Sequence, residues 1–431
     1  MDLINKFKNK IFTNSIWMMS EKTISLIGLI FVTSFVAKYI GPENFGKLTL
    51  AGSIFATIQI IAMFGSENII FQKTAKNRKI GEYVINATKS LRSILYLSLS
   101  LITLIYIYIE TDRLTFIFSL ATSVAVYFAV HDVYSIYFNA ILESKINAYC
   151  NMLALIISLI VRYCIAKFQL AVEFLCIPII LITLISFLLR LYIFNRKKII
   201  KDTVNKEKVN KYKRFMFATG GKLFIFSLSV AFFTRSAQLA LGFKSQYELG
   251  LFTVAMTLGG SFYFILSAII SSYYTKIYQE VDFYKTQRMV AILNIIIVIV
   301  SVVFLIFLGV FGGVIIRLLY GDEFIINNLV LILVVLITMF SGLSTISEKY
   351  LLKYNAYDYL KRKTLYSILF NIILTIIFVY YFGLMGAISS ILISEIISCT
   401  ILNYFYKGGV VFEMHRMIFS LLINRKNKLI S

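Results

Sequence analysis

Apolar residues run along this chain in twelve long blocks, near 12–37, 48–71, 93–109, 114–137, 148–166, 170–194, 216–241, 249–272, 290–316, 325–346, 364–382 and 386–406. Most are close to the ~20 residues that a helix needs to cross a bilayer. The strict alternation over ~10 residues that marks a membrane β-barrel is absent. The pattern predicts an all-α membrane protein of about twelve transmembrane helices. The polar segments between the blocks are short, and their charges alternate. Counting from an N-terminus placed inside, 32 Lys and Arg fall in the cytoplasmic segments and 6 on the opposite side. Because cytoplasmic loops carry the excess of basic residues, this alternation predicts a multi-pass protein of twelve spans with both termini cytoplasmic.

Composition agrees. The chain has 431 residues, 59% hydrophobic and 15% charged, against roughly 45–50% and about 25% in soluble domains. Water-driven folding cannot bury that surplus. A net charge of +22 would suggest nucleic acid in a soluble protein; here the basic loops account for it, and no nucleic acid is implied. Cys150, Cys164, Cys176 and Cys399 all lie in apolar stretches without metal-ligand spacing, and they read as small packing residues. The first apolar run is too long for a cleaved signal and lacks a small-residue cleavage site.

The longest polar segment, 195–214, divides the chain into a lobe at 1–195, a basic cytoplasmic linker at 196–214, and a lobe with a basic tail at 215–431. The linker has two readings: contact with anionic headgroups, or a solvated connector that fixes topology. The halves look related. Asn5-Lys6-Phe7-Lys8 recurs as Asn210-Lys211-Tyr212-Lys213, and the stretch from Phe45 to Ala51 recurs from Leu249 to Ala255, at offsets of 205 and 204. Six spans per half relate such repeats in parallel, which predicts two pseudo-symmetric lobes around a central cleft.

Five basic residues remain inside spans: Lys22, Arg162, Arg190, Lys222 and Arg235. Arg190 lies near the end of its span, from which it can snorkel. An ionised group at mid-bilayer costs several kcal/mol, so each of the other four should face a cavity or a partner. At ~1.5 Å per residue, Lys222, Lys22 and Arg162 lie about 9, 15 and 20 Å into their spans, with Arg235 near the outer end of the seventh. Lys22 displaced by 204 falls at position 226, one turn from Lys222. Two readings follow. The four cations line the cleft and bind an anion, most simply a phosphate-bearing one, or each is paired internally with Glu21, Glu67, Asp132 or Glu395 and serves packing. Glu21, Asp132 and Glu395 are also candidates for coupling to a proton or sodium ion. His131 reads as a polar-face residue, and Pro178 as a kink in span six.

Enzymatic signatures are missing. Gly220-Gly221-Lys222 is followed by Leu223 and lacks the Ser/Thr of a phosphate loop. There is no H-E-x-x-H, no G-x-S-x-G and no large outer loop to hold an acceptor. The chain reads as a transporter without catalytic residues, metal or cofactor.

Several stretches resemble one family. Asn14-Ser15-Ile16-Trp17 with Glu21-Lys22, then Val36 to Gly46 with Gly41-Pro42-Glu43-Asn44-Phe45-Gly46, is similar to the N-x-x-W-x-x-x-E-[KR] helix and G-P-x-x-F-G turn of the Wzx-type polysaccharide-repeat-unit flippases. These belong to the multidrug/oligosaccharidyl-lipid/polysaccharide transporter superfamily. Phe64 to Ile70, Leu318 to Phe324, Asn371 to Leu374 and Phe382 to Ala387 extend the resemblance in order along the chain. It implies a flippase that moves undecaprenyl-pyrophosphate-linked oligosaccharide from the cytoplasmic to the outer leaflet for surface polysaccharide synthesis, with ion antiport. Membrane lipids, a polysaccharide polymerase and chain-length proteins are the partners it implies. The family often carries an Asp shortly after the Arg of span seven; here Arg235 is followed by Ser236-Ala237-Gln238, which removes any role for that carboxylate. A cation or drug antiporter would want an acid-rich cleft, and a glycan polymerase a large outer loop.

Overall fold

The structure is a computed structural model. It describes the backbone of residues 2–200 and 206–428; the side chains of most of 2–31, 217–231 and 419–428, with Lys206 and Lys208, lie outside the description. Among the described residues there are no strands. The helices are α1 (Asp2–Met63), α2 (Ser66–Lys76), α3 (Arg78–Glu110), α4 (Arg113–His131) and α5 (Tyr134–Ala140). They continue with α6 (Ser144–Lys167), α7 (Cys176–Lys197), α8 (Lys206–Lys244), α9 (Gln246–Gly260) and α10 (Tyr263–Gln279). The last are α11 (Phe283–Tyr320), α12 (Asn328–Lys353), α13 (Tyr357–Cys399), α14 (Ile401–Tyr404) and α15 (Val410–Lys428).

All twelve expected spans are helical. α1 holds the first two, joined at Gly41, and α13 holds the last two, joined at Gly383. Each glycine has a backbone that a side chain would strain: φ 76°, ψ 169° at Gly41 and φ 55°, ψ −129° at Gly383. Pro42, whose missing N–H is harmless at a helix start, then begins the second span. This is the physical content of the Gly-Pro-x-x-Phe-Gly motif, and Phe45 seals the turn from within the core. At Gly383 the Glu248 carboxylate fills the space of the absent Cβ and accepts from Leu384 N at 2.8 Å.

Four spans are less regular than their sequences predict; the twelfth turns at Thr400, between α13 and α14. The second breaks at Phe64-Gly65, both with positive φ, before α2. The fourth breaks at Asp132, between α4 and α5. The eighth breaks after Gly260; there Gly259 lies against Val334, and its carbonyl accepts from Thr338 Oγ1 at 3.1 Å. Pro178 does not kink span six. It sits in the first turn of α7, and its carbonyl accepts from Ser158 Oγ at 3.0 Å.

The chain forms two compact units, Met1–Arg235 and Ser236–Ser431. In the first, Ile70, Val84, Tyr137, Phe138 and Met216 form a buried cluster. α1 and α6 pack side by side, and their contacts keep one register. Trp17 meets Tyr149, Gly28 meets Leu159, and Phe35 stacks on Tyr163 at 5.3 Å. The Tyr39 hydroxyl donates to the Leu170 carbonyl. In the second unit the core gathers Leu266, Ile270, Leu293, Ile297, Val335 and Tyr350. The tail is part of it: α15 contributes Val411 and Met414, and Met414 Sδ accepts from Asn294 at 3.2 Å. Sequence patterning reads this tail as a polar extension.

Exposed apolar side chains continue in stripes, such as Ile94, Leu101, Ile105 and Ile109 on α3 and Val303, Val310, Val314 and Leu318 on α11. A soluble protein would not show water such faces. Nine helical stretches among the described residues are long and apolar enough to cross a membrane. With α8, the first half of α1 and the two halves of α13, they accommodate the twelve expected spans. The chain is a multi-pass membrane protein.

Candidate substrate and coupling sites

The side chains of Glu21, Lys22 and Lys222 lie outside the described residues, although their backbones belong to α1 and α8. The α1–α6 register still sets depth. Pairs 17–149, 28–159 and 39–170 differ by about 131, so Arg162 lies level with residue 31, about 13 Å along the axis from residue 22. Arg162 is half-buried on α6. Among the described residues no carboxylate forms an ion pair with it. Arg235 is also half-buried, at the end of the first unit.

Asp132 is paired, but not with any of the four cations singled out. The carboxylate takes Arg190, whose guanidinium also donates to Asn151 Oδ1. Arg190 therefore does not snorkel: it is only 4% exposed. The helix break explains why. An Asp at the end of α4 unwinds one residue, Ser135 Oγ donates to the Asp132 carbonyl at 2.9 Å, and the freed carboxylate turns toward α7. Asp132, Arg190, Asn151, Ser135, Thr183 and Ser186 line a cavity of about 410 Å³. Among the described residues, Asp132 Oδ1 and Arg190 Nε are buried there without hydrogen-bond partners. His131 is spoken for: Nδ1 lies 2.8 Å from the Tyr127 carbonyl, which only an N–H can satisfy, leaving Nε2 to accept from Ser93 Oγ at 2.8 Å.

Glu395, on the second half of α13, is hydrogen-bonded to Ser341 and lies in the electric fields of Glu348 and Lys363. The ion pair in this group is Lys363 with Glu348, at 3.3 Å. Neither partner was singled out from sequence, because both sit where a polar loop was expected. Glu67, an alternative partner for the cations, is exposed.

Two more buried charges escaped the sequence. Arg92, counted among the loop cations, is 1% exposed on α3 and donates to Thr88 Oγ1 at 2.8 Å. The signal for it exists: Val84, Thr88, Arg92, Tyr96 and Ser100 recur every four residues, all buried on one face. Glu82, also 1% exposed, accepts from the backbone of Ile199 and Ile200 and from the Tyr137 hydroxyl at 2.9–3.1 Å. It clamps the chain as it leaves α7. Cys150 and Cys399 are buried and all four cysteines are free thiols. Among the described residues no group of His, Cys, Asp and Glu is arranged to hold a metal.

A sequence profile of the polysaccharide biosynthesis protein family matches residues 35–327, more than half of the chain. The chain belongs to this family. The polysaccharide biosynthesis assignment is consistent with a curated relative, the capsular polysaccharide biosynthesis protein CapF of Staphylococcus aureus. The two are 28% identical over 206 residues, which is 43% of this chain; the match spans about half the length of that relative. Among solved structures, the lipid II flippase MurJ in an inward closed conformation superposes with a TM-score of 0.67 at 16% identity, over 96% of this chain and 93% of MurJ. An inward-facing multidrug resistance MATE transporter of the MOP superfamily superposes with a TM-score of 0.60 at 15% identity, over 92% and 96%. At such identities the likeness establishes the fold, that of membrane transporters and flippases. This member of the polysaccharide biosynthesis family thus has the fold seen in MurJ and in the MATE transporter.

Proposed function

We propose that this protein is a flippase for undecaprenyl-pyrophosphate-linked oligosaccharide, which it moves from the cytoplasmic to the outer leaflet of the inner membrane by alternating access coupled to an ion. The observation that carries this reading is the surplus of cations in apolar helices. Arg162 sits within a membrane-crossing helix with no ion-paired carboxylate among the described residues, and Lys22, Lys222 and Arg235 occupy further positions inside spans. A pyrophosphate supplies the negative charge that suits such a path, by charge-assisted bonds to Lys and Arg. The family and the MurJ-like fold support the same cargo. The lobes at 1–195 and 215–431, joined by the basic linker at 196–214, are the moving bodies in this reading. A polysaccharide polymerase and chain-length proteins would act on the cargo after it arrives. The likeness to a multidrug transporter favours a second reading, a cation or drug antiporter; an excess of intramembrane cations opposes it.

Deletion of the gene followed by lipid analysis separates these. Single lipid-linked repeat units should accumulate on the inner leaflet, and Lys22→Ala or Lys222→Ala should reproduce that accumulation with protein still in the membrane. Wild-type lipid profiles in both variants would remove the cationic path from the mechanism. Outward-facing but unpolymerised units would point to a polymerase.

A further inference from the structure

In the second unit, buried polar side chains recur at every fourth residue of α13. Lys363, Ser367, Asn371 and Thr375 share one face of its first half. Thr375 and Ser390 hydroxyls lie 3.1 Å apart, and Asn371 Nδ2 donates to Ser394 Oγ at 3.0 Å, so the two halves of α13 are stitched together across the Gly383 turn. Hydroxyls and amides of this kind are ordinary glue between membrane helices. At its far end, however, the seam closes on charge. The Lys363 side chain is 2% exposed and places Nζ 3.3 Å from Glu348 Oε1 on α12. Glu395 lies within reach of both charges and of the Ser341 hydroxyl, and Cys399 is the remaining titratable group against it.

The charges do not balance: Lys363 is ion-paired with Glu348, and Glu395 is a second carboxylate in the field of that pair. One proton or one monovalent cation would remove the excess negative charge. A metal ion needs several oxygen ligands of its own and would sit against the Lys363 ammonium. A proton needs one carboxylate oxygen.

We propose that Glu348, Lys363 and Glu395 form a one-proton exchange site, and, resting on the transport reading above, that this proton is the coupling ion. Glu348, whose side chain is 45% exposed, is the solvent contact. A proton from water bonds to a carboxylate oxygen of Glu395, which leaves Lys363 wholly to Glu348. When that proton returns to water, Glu395 competes for Lys363. Glu348 is on α12, while Lys363 and Glu395 are on opposite sides of the Gly383 turn, so protonation changes what holds three helical segments together.

The site is tested on full-length protein in liposomes, by infrared difference spectra between acid and alkaline pH in sodium-free potassium buffer. A carbonyl band of a protonated carboxylic acid is expected in the wild type and should vanish in Glu395→Gln. The band should persist to higher pH in Lys363→Met and retreat to lower pH in Glu348→Gln, opposite signs that general misfolding would not produce. An unchanged band in Glu395→Gln, or a band that follows added sodium at constant pH, would overturn the proton site. Transport is read separately, with undecaprenyl-pyrophosphate-linked oligosaccharide as cargo. Glu395→Gln that still responds to a pH gradient as the wild type does would overturn the coupling and leave the flippase intact. A wild type that shows the band but moves no such lipid would leave the proton site and overturn the flippase reading.

Discussion

Each of the two compact units gathers charged side chains from three neighbouring helical segments, but the two settle the charge differently. In the first, Asp132, Arg190 and Asn151 pair one acid with one base and one amide. In the second, Glu348 pairs with Lys363, and Glu395 adds a second acid in the field of that pair. A balanced pair has little reason to exchange an ion, since removing either partner strands the other. An unbalanced triad is relieved by gaining a proton. Under the proton-exchange proposal the first cluster is a structural post and the second a switch.

That contrast can be broken most forcefully at Arg190. Arg190→Met leaves the Asp132 carboxylate buried and unpaired, and should destabilise the protein by about 3–5 kcal/mol. The double change with Asp132→Asn should recover most of that loss. Both are checked by thermal unfolding of the purified protein in detergent. If Arg190→Met were neutral, the first cluster would not be a structural post. Next, Gly383→Ala tests whether the two halves of α13 depend on their turn. A Cβ there would lie 2.4 Å from Glu248 Oε2 at a φ of 55°, with an expected cost of about 1–3 kcal/mol in the same assay. Arg162→Gln should weaken binding of undecaprenyl pyrophosphate by about tenfold with stability preserved, because a half-buried cation with no ion-paired acid among the described residues loses little on neutralisation. Flotation of the labelled lipid with protein in liposomes measures it.

The smallest effect concerns His415 on α15, outside the spans. Burial against the core lowers its pKa to about 4, and its Nδ1 lies 2.9 Å from the Tyr404 hydroxyl. The folded state thus holds it neutral, while the unfolded chain takes up a proton below its ordinary value of 6.5. Its contribution to stability is complete above pH 6.5 and is lost as pH falls toward 4, amounting to about 1 kcal/mol by about pH 5.5. His415→Gln should flatten that part of the profile, read as protease protection of the tail between pH 7 and 5.

Helix number and the turns at Gly41 and Gly383 were legible in the sequence, because hydrophobic period and glycine conformation are local properties. Interruptions were not. Phe64-Gly65, Asp132 and Ser261 break helices that apolar averages run straight through. The site was legible only in part. Glu395 and Asp132 stand out as acids in apolar stretches, but their partners do not. Arg190 is 58 residues from Asp132, and Lys363 looks like one more loop lysine until α13 folds it inward. Pairing across such distances is decided by which helices touch, and periodicity carries no record of that. The docking of α15 was missed for the opposite reason: its buried face is two residues wide, too narrow to register against a polar tail.

The side-by-side match of α1 with α6 limits how the first helix travels. With Leu159 nested where Gly28 has no side chain, and the Phe35 and Tyr163 rings overlapped, a gradual slide would drive Leu159 into a full-sized neighbour. A shift of one helical turn, about 5.4 Å, would set Ile24 or Val32 rather than a glycine opposite Leu159, so this contact holds α1 and α6 at one height.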